Sequence, residues 1–108
     1  MKTIQLICKK NAILNFKTEG VFPTFSNIVI NMLLKEGEIY NFSIINGYLN
    51  ISKDGFIWYR LNIYEVKNVV TVEKGFIDFY NNYFDNGYNN IKYLFKLENI
   101  AVKTEGDF

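Results

Sequence analysis

The sequence predicts a mainly β fold, a small antiparallel barrel carrying one or two short helices. Three observations lead there. Asn46-Gly47 and Asp54-Gly55, with six residues between them, are strong hairpin dipeptides because both turn positions tolerate positive φ. The segments on either side alternate apolar and polar residues with the period of a half-buried strand. The chain has 108 residues, 49% of them hydrophobic, which suits one domain with a core that needs no covalent staples. Residues 1–108 are accordingly read as a single unit: a barrel meander over about 37–67 and an aromatic-rich C-terminal extension over about 69–108.

Taken in order, residues 2–9 set Ile4, Leu6 and Cys8 on one side and read as a strand, and residues 12–17 do the same with Ala12, Leu14 and Phe16. Gly20 to Asn27, which includes Pro23, reads as a loop. Residues 27–34 fit two periods. Ile28, Ile30, Met32 and Leu34 suit a strand, whereas Phe25, Ile28, Val29, Met32 and Leu33 suit a helix capped by Thr24 and stopped at Gly37; the helix is preferred. Two-residue turns then define strands at 38–45, 48–53 and 56–63. They pair Ile45 with Tyr48, Ile44 with Leu49 and Phe42 with Ile51; across the second turn Ile51 faces Trp58 and Asn50 faces Tyr59. One face of this meander carries Tyr40, Phe42, Ile44, Leu49, Ile51, Phe56 and Trp58, and it is the expected core, with Trp58 buried beside Ile51 and Phe42. Val69 to Glu73 reads as a further strand. Phe76, Phe79, Tyr80, Tyr83 and Phe84 fall at helical spacing before Gly87. Ile91, Tyr93, Phe95 and Leu97 alternate as a last strand, and 104–108 read as a frayed tail.

Composition removes many chemistries. There is no histidine and one cysteine, Cys8, which excludes His-based triads, Cys–His dyads, His/Cys metal sites and an intramolecular disulfide. Ser26, Ser43 and Ser52 have no base within reach of a sequence argument. The carboxylate pairs Glu36/Glu38 and Asp78/Asp85 read as solvated charges rather than as a general acid and base. No D-x-D-x-D-G loop or phosphate-cradling glycine cluster is present, so no cofactor and no metal are expected, and no enzymatic activity. Met1 to Cys8 imitates a short signal with a lipobox. However, Ile7 stands where a small residue should precede the cysteine, and Lys9 and Lys10 end the apolar run. No stretch approaches the length of a membrane span. A soluble, cytoplasmic protein is expected.

The segment Leu33-Leu34-Lys35-Glu36-Gly37-Glu38-Ile39-Tyr40, followed by Tyr48-Leu49-Asn50-Ile51, Asp54-Gly55 and Trp58-Tyr59, resembles the small SH3-like β-barrel proteins of phages and prophages of low-GC Gram-positive bacteria. The resemblance covers about residues 30–67 and makes Leu61 to Val66 the closing turn. It implies an SH3-like barrel, brings no catalytic residues, and leaves the chain after Val66 without a counterpart. The abundance of Ile, Asn, Lys, Phe and Tyr, whose codons are A/T-rich, agrees with a low-GC genome.

The ten Phe and eight Tyr exceed what a core of this size comfortably hides. The aromatic run 76–85 either caps an open end of the barrel or presents an interface. As an interface it predicts a partner protein or a homodimer, with Tyr80, Tyr83 and Tyr88 at the centre and Asp85 and Lys92 at the rim. An alternative surface is Lys53, Tyr59 and Arg60 on the other face of the meander. Single-stranded nucleic acid is the competing ligand, because aromatics interleave with lysines there and at Lys92, Tyr93 and Lys96; a net charge of +1 argues against it. The expected function is therefore stoichiometric protein binding by a phage or prophage accessory protein, such as an inhibitor of a host enzyme or defence system (an anti-CRISPR), with a virion subunit as a further alternative.

Overall fold

The computed structural model describes residues 2–18 and 28–105. Its elements are β1 (Thr3–Ile7), β2 (Ala12–Thr18), β3 (Ile28–Leu34), β4 (Ile39–Ile45), β5 (Tyr48–Ser52), β6 (Tyr59–Val66), β7 (Val69–Val72), α1 (Lys74–Tyr83), α2 (Gly87–Leu97) and β8 (Ala101–Thr104). The fold is mainly β, with two helices and a sheet curled into a half-barrel. Six strands form that sheet in the order β1-β4-β5-β6-β7-β8, while β2 and β3 form a separate hairpin. Neighbouring strands run antiparallel except β7 and β8, which are parallel. The C-terminal extension thus contributes two strands to the same sheet as the meander.

The first turn is as expected. Asn46 and Gly47 take φ of 51° and 81°, and the register pairs Ile45 with Tyr48, Ile44 with Leu49 and Phe42 with Ile51. The second turn is not a two-residue hairpin. The Asp54 carboxylate accepts from the amides of Phe56 and Ile57 at 2.8 and 3.0 Å, and Ser52 Oγ accepts from the Gly55 amide at 2.8 Å. Those donors are consumed locally, residues 53–58 become a loop, and Ile51 pairs with Tyr59 and Asn50 with Arg60. The slip is one residue. It removes Phe56 from the core, leaves Trp58 half-buried, and puts Leu61 and Ile63 on the buried face instead. Leu61 to Val66 is strand rather than a closing turn.

Residues 28–34 are strand, not helix. Thr18 to Ala12 pair with Ile28 to Leu34 along their whole length, and Thr24 and the expected loop 20–27 lie outside the described residues. The strand expected at 91–97 is helix α2: Ile91, Leu94 and Phe95 are buried at helical spacing while Tyr93 is exposed. Gly87 opens α2 instead of stopping α1. Thr104, assigned by sequence to a frayed tail, belongs to β8, and the Glu105 amide donates to Val72 O at 2.9 Å.

α2 lies against β1, β4 and β8 and so fills the mouth of the half-barrel, with α1 packed on α2. The core joins Leu6, Tyr40, Phe42, Leu49 and Ile51 of the sheet to Tyr80, Phe84, Ile91, Leu94 and Phe95 of the helical segment. Phe84, between the helices, is extended and bridges antiparallel to Cys8. Flanking it, the Lys9 amide donates to Tyr83 O and the Asp85 amide to Ile7 O. This strap occupies the outer edge of the sheet where β1 ends. Ser43 and Asn50, buried polar residues of the sheet, are hydrogen-bonded: Ser43 Oγ donates to Lys2 O at 2.6 Å, and Asn50 Nδ2 to Tyr48 O at 2.9 Å.

Candidate protein-binding surfaces

The aromatic run divides between core and surface. Tyr80 is 3% exposed and its ring packs against Phe42, Phe76, Phe79 and Phe84. Burial holds its hydroxyl far above the ordinary tyrosine range. It is a core residue, which corrects its placement at the centre of an interface: Phe76 and Tyr80, four residues apart, lie on the stripe α1 turns inward, and the extended Phe84 stacks on Tyr80 there. Tyr83 is half-buried, its ring tilted against that of Phe79 at 4.8 Å, with Lys10 Nζ 5.4 Å from its ring centre. Tyr88 is half-buried as well. Its hydroxyl is enclosed without a hydrogen-bond partner among the described residues, and desolvation raises its pKa. Asp85 and Lys92 are exposed. The five residues therefore do not make one continuous patch of rings.

Lys53 and Tyr59, from the alternative surface, do come together. They line a depression of about 470 Å³ with Met32, Leu33, Asp54 and Ile57. Lys53 pairs with Glu38 at 3.6 Å. Beside this depression stands the loop 53–58, with Phe56 87% and Ile57 58% exposed. Ser52 Oγ also lies 3.2 Å from Asp54 Oδ1, so the hydroxyl and the carboxylate that hold the loop hold each other. The amides of Ile57 and Phe56 keep the Asp54 carboxyl below its usual pKa, as expected for an acceptor charge fixed by backbone donors. The apolar tip of this loop is held from below by polar groups.

Arg60 points elsewhere. Its guanidinium sits 4.0 Å from the centre of the Tyr48 ring, and the Tyr48 ring in turn lies tilted against Tyr64, 5.4 Å between centres. Tyr64 is exposed. Sequence reasoning missed Phe56 and Tyr64 as exposed residues. The signal for Phe56 was Ser52 two positions before Asp54, a pair able to convert a turn dipeptide into a longer loop.

A second depression, about 390 Å³, lies between α2 and β8. The helix supplies Asn89, Lys92, Tyr93 and Lys96; the strand side supplies Ile100, Ala101 and Val102. Tyr93 is 53% exposed. Among the described residues the ion pairs are Lys53–Glu38 and Lys74–Asp78, so Lys92 and Lys96 face no carboxylate partner.

Of the two carboxylate pairs read from the sequence, Glu38 and Asp78 each meet a lysine. Asp78 meets Lys74 at 3.9 Å on α1, and Asp85 sits in the strap between the helices. Glu38 accepts from the Tyr40 hydroxyl at 3.2 Å and braces the turn before β4. The Cys8 thiol is buried and donates to Lys10 O at 3.1 Å; burial raises its pKa, with Glu36 and Glu38 adding to the shift. That is the opposite of an activated nucleophile. Among the described residues no helix is long and apolar enough to cross a membrane, and no three acidic or thiol side chains gather around a common point. Comparison with protein families, with characterised proteins and with solved structures gives no match. The functional reading therefore rests on the geometry of these surfaces.

Proposed function

We propose that this chain is a non-enzymatic protein-binding module whose main contact is the face built from loop 53–58 and the adjoining depression at Met32, Leu33, Lys53 and Tyr59. One observation carries the reading: Phe56 and Ile57 are exposed at the tip of a loop whose amides are already tied to Asp54 and Ser52. An aromatic ring held in water loses the stabilisation of burial, and a pre-ordered loop gives up little further entropy on binding. That combination is wasteful in an isolated molecule and efficient in a partner's pocket. The partner is a protein with an apolar pocket that accepts an aromatic side chain, and the module acts by occupying it in stoichiometric amount.

The wider reading is an accessory protein of a phage or prophage, related to SH3-like barrels, that inhibits a host enzyme or defence system, anti-CRISPR proteins being the concrete example. Support for it comes from the residue pattern of 30–67 and the abundance of Ile, Asn, Lys, Phe and Tyr, residues whose codons are A/T-rich. The groove between α2 and β8 favours nothing in this choice.

The test is site-specific photocrosslinking in a low-GC Gram-positive host. A benzophenone amino acid at position 56 is expected to give one discrete protein adduct. The same group at Asn62, on the exposed face of β6, is expected to give none. Adducts at both positions alike, or at neither, refute the reading. An adduct with a second copy of the chain makes the partner the protein itself.

A further inference from the structure

We infer that the groove between α2 and β8 is a second binding site, which takes an extended acidic peptide segment of a partner protein as an added strand on β8. It shares no residue with the Phe56 face and does not depend on it.

The inference starts from backbone direction. The Ala101 amide donates to Asn68 O and the Glu105 amide to Val72 O, both at 2.9 Å and both on the β7 side. Along a strand, the N–H and C=O of successive residues alternate between the two edges. Val102 and Thr104 therefore direct their amides and carbonyls away from β7. β8 ends the strand order, and no described strand pairs on that side. The other end of the sheet is treated differently, because the Phe84 strap bridges to Cys8 where β1 ends. A free edge is a template for another strand unless something blunts it.

Side chains then select the occupant. The groove beside this edge has an apolar floor of Ile100, Ala101 and Val102, and its helical wall carries Tyr93 between Lys92 and Lys96. These lysines are four residues apart on α2, hence on one side of it. Among the described residues the lining contains no carboxylate, and Lys103 of β8 is exposed nearby in the chain. On an added strand alternate side chains face the groove, where carboxylates meet Lys92 and Lys96, while the apolar residues between them face the opposite side of the sheet beside Ala101. A second copy of β8 suits the edge badly, since it would bring Lys103 opposite or diagonal to its own copy across a four-residue strand. Single-stranded nucleic acid would use the lysines and Tyr93 but not the backbone edge.

The probe is a fluorescein-labelled octapeptide of alternating glutamate and valine, followed by fluorescence anisotropy on the full chain at low salt. Saturable binding is expected, with the lysine–valine counterpart silent. Lys92→Glu with Lys96→Glu should weaken binding by about tenfold or more, because attraction becomes repulsion at two positions. The glutamate–valine peptide N-methylated at alternate residues, which keeps the charges but cannot form the ladder, should fail on the wild-type protein, where folding is not in question. Failure of the unmodified peptide to bind overturns the inference. Equal binding by the N-methylated peptide, or by the charge-reversed protein, also overturns it. Tighter binding of a thymidine oligonucleotide than of the peptide assigns the groove to nucleic acid and overturns it too. Phe56→Asp is expected to leave this binding unchanged.

Discussion

Gly87→Ala separates two physical effects of opposite sign. Gly87 is the first residue of α2, and helix propensity alone favours alanine over glycine by up to about 1 kcal/mol. The structure predicts the reverse. A Cβ at Gly87 would fall 2.0 Å from Tyr80 O and 2.7 Å from Tyr80 C, with Phe84 Cβ at 3.1 Å. The carbonyl in the way accepts the Phe84 amide at 3.0 Å and ends α1, so it cannot rotate aside as a side-chain tip would. Relief requires α2 to move, and α2 carries Ile91, Leu94 and Phe95, all within 1% of complete burial. Overpacking a core costs roughly 1–3 kcal/mol where side chains can yield. Against backbone the upper end applies, so after the propensity gain a net loss of about 2 kcal/mol or more is expected. For a domain of this size that lowers Tm by about 10 °C. Gly75→Ala is the control, since nothing lies within 4 Å of its would-be Cβ; it should be neutral or mildly stabilising. Urea denaturation followed by circular dichroism measures both. A Gly87→Ala protein as stable as wild type would refute the close approach of the two helices.

Three further outcomes are expected. Tyr88→Phe removes an enclosed hydroxyl that has no partner among the described residues and should stabilise the fold by about 1 kcal/mol in the same assay; a loss of stability would mean the hydroxyl is bonded. Tyr80→Ala removes a ring packed among four others and should cost about 3–5 kcal/mol, whereas Phe56→Ala should leave Tm unchanged. Asp54 has a depressed pKa in the folded loop, so the order it confers is complete above the ordinary carboxylate pKa and is lost as pH falls through the lower, folded value. The Phe56 and Ile57 amide resonances should report that loss together on acidification, and Asp54→Ala should show it already at neutral pH.

What could be read from the sequence follows from how far each structural decision reaches along the chain. The hairpin at Asn46-Gly47 is decided by two residues that adopt positive φ, and strands β4 and β5 followed with their register. β3 is decided by pairing with β2, a partner beyond a long connection, and the local pattern of 27–34 admitted both readings and favoured the helix. In α2 both periods are populated by apolar residues, because Ile91 and Phe95 belong to each. Leu94 and Tyr93 break the tie, the first buried and the second exposed, and that distinction exists only once α2 lies in the mouth of the half-barrel. β8 is four residues long, and its parallel partner is reached through two helices, a pairing that no local signal announces.

The candidate site was obscured by the same one-residue slip that altered the meander. With Asp54-Gly55 as a two-residue turn, Phe56 and Trp58 share the face of Phe42 and Ile51, and both rings belong to the core. Once Asp54 and Ser52 take the amides of residues 55–57 for themselves, β6 starts later, and Leu61 and Ile63 fill the face that the aromatics had been assigned. Phe56 is then left in water on a loop that cannot collapse to hide it. Core and surface are thus exchanged by one carboxylate. Replacing Asp54 and Ser52 together with alanine should loosen the loop and weaken partner capture at position 56, while Leu61 and Ile63 keep the sheet intact. Retained thermal stability with diminished crosslinking is the expected pair of results. Undiminished capture from a loosened loop would show that prior ordering of Phe56 contributes nothing to binding.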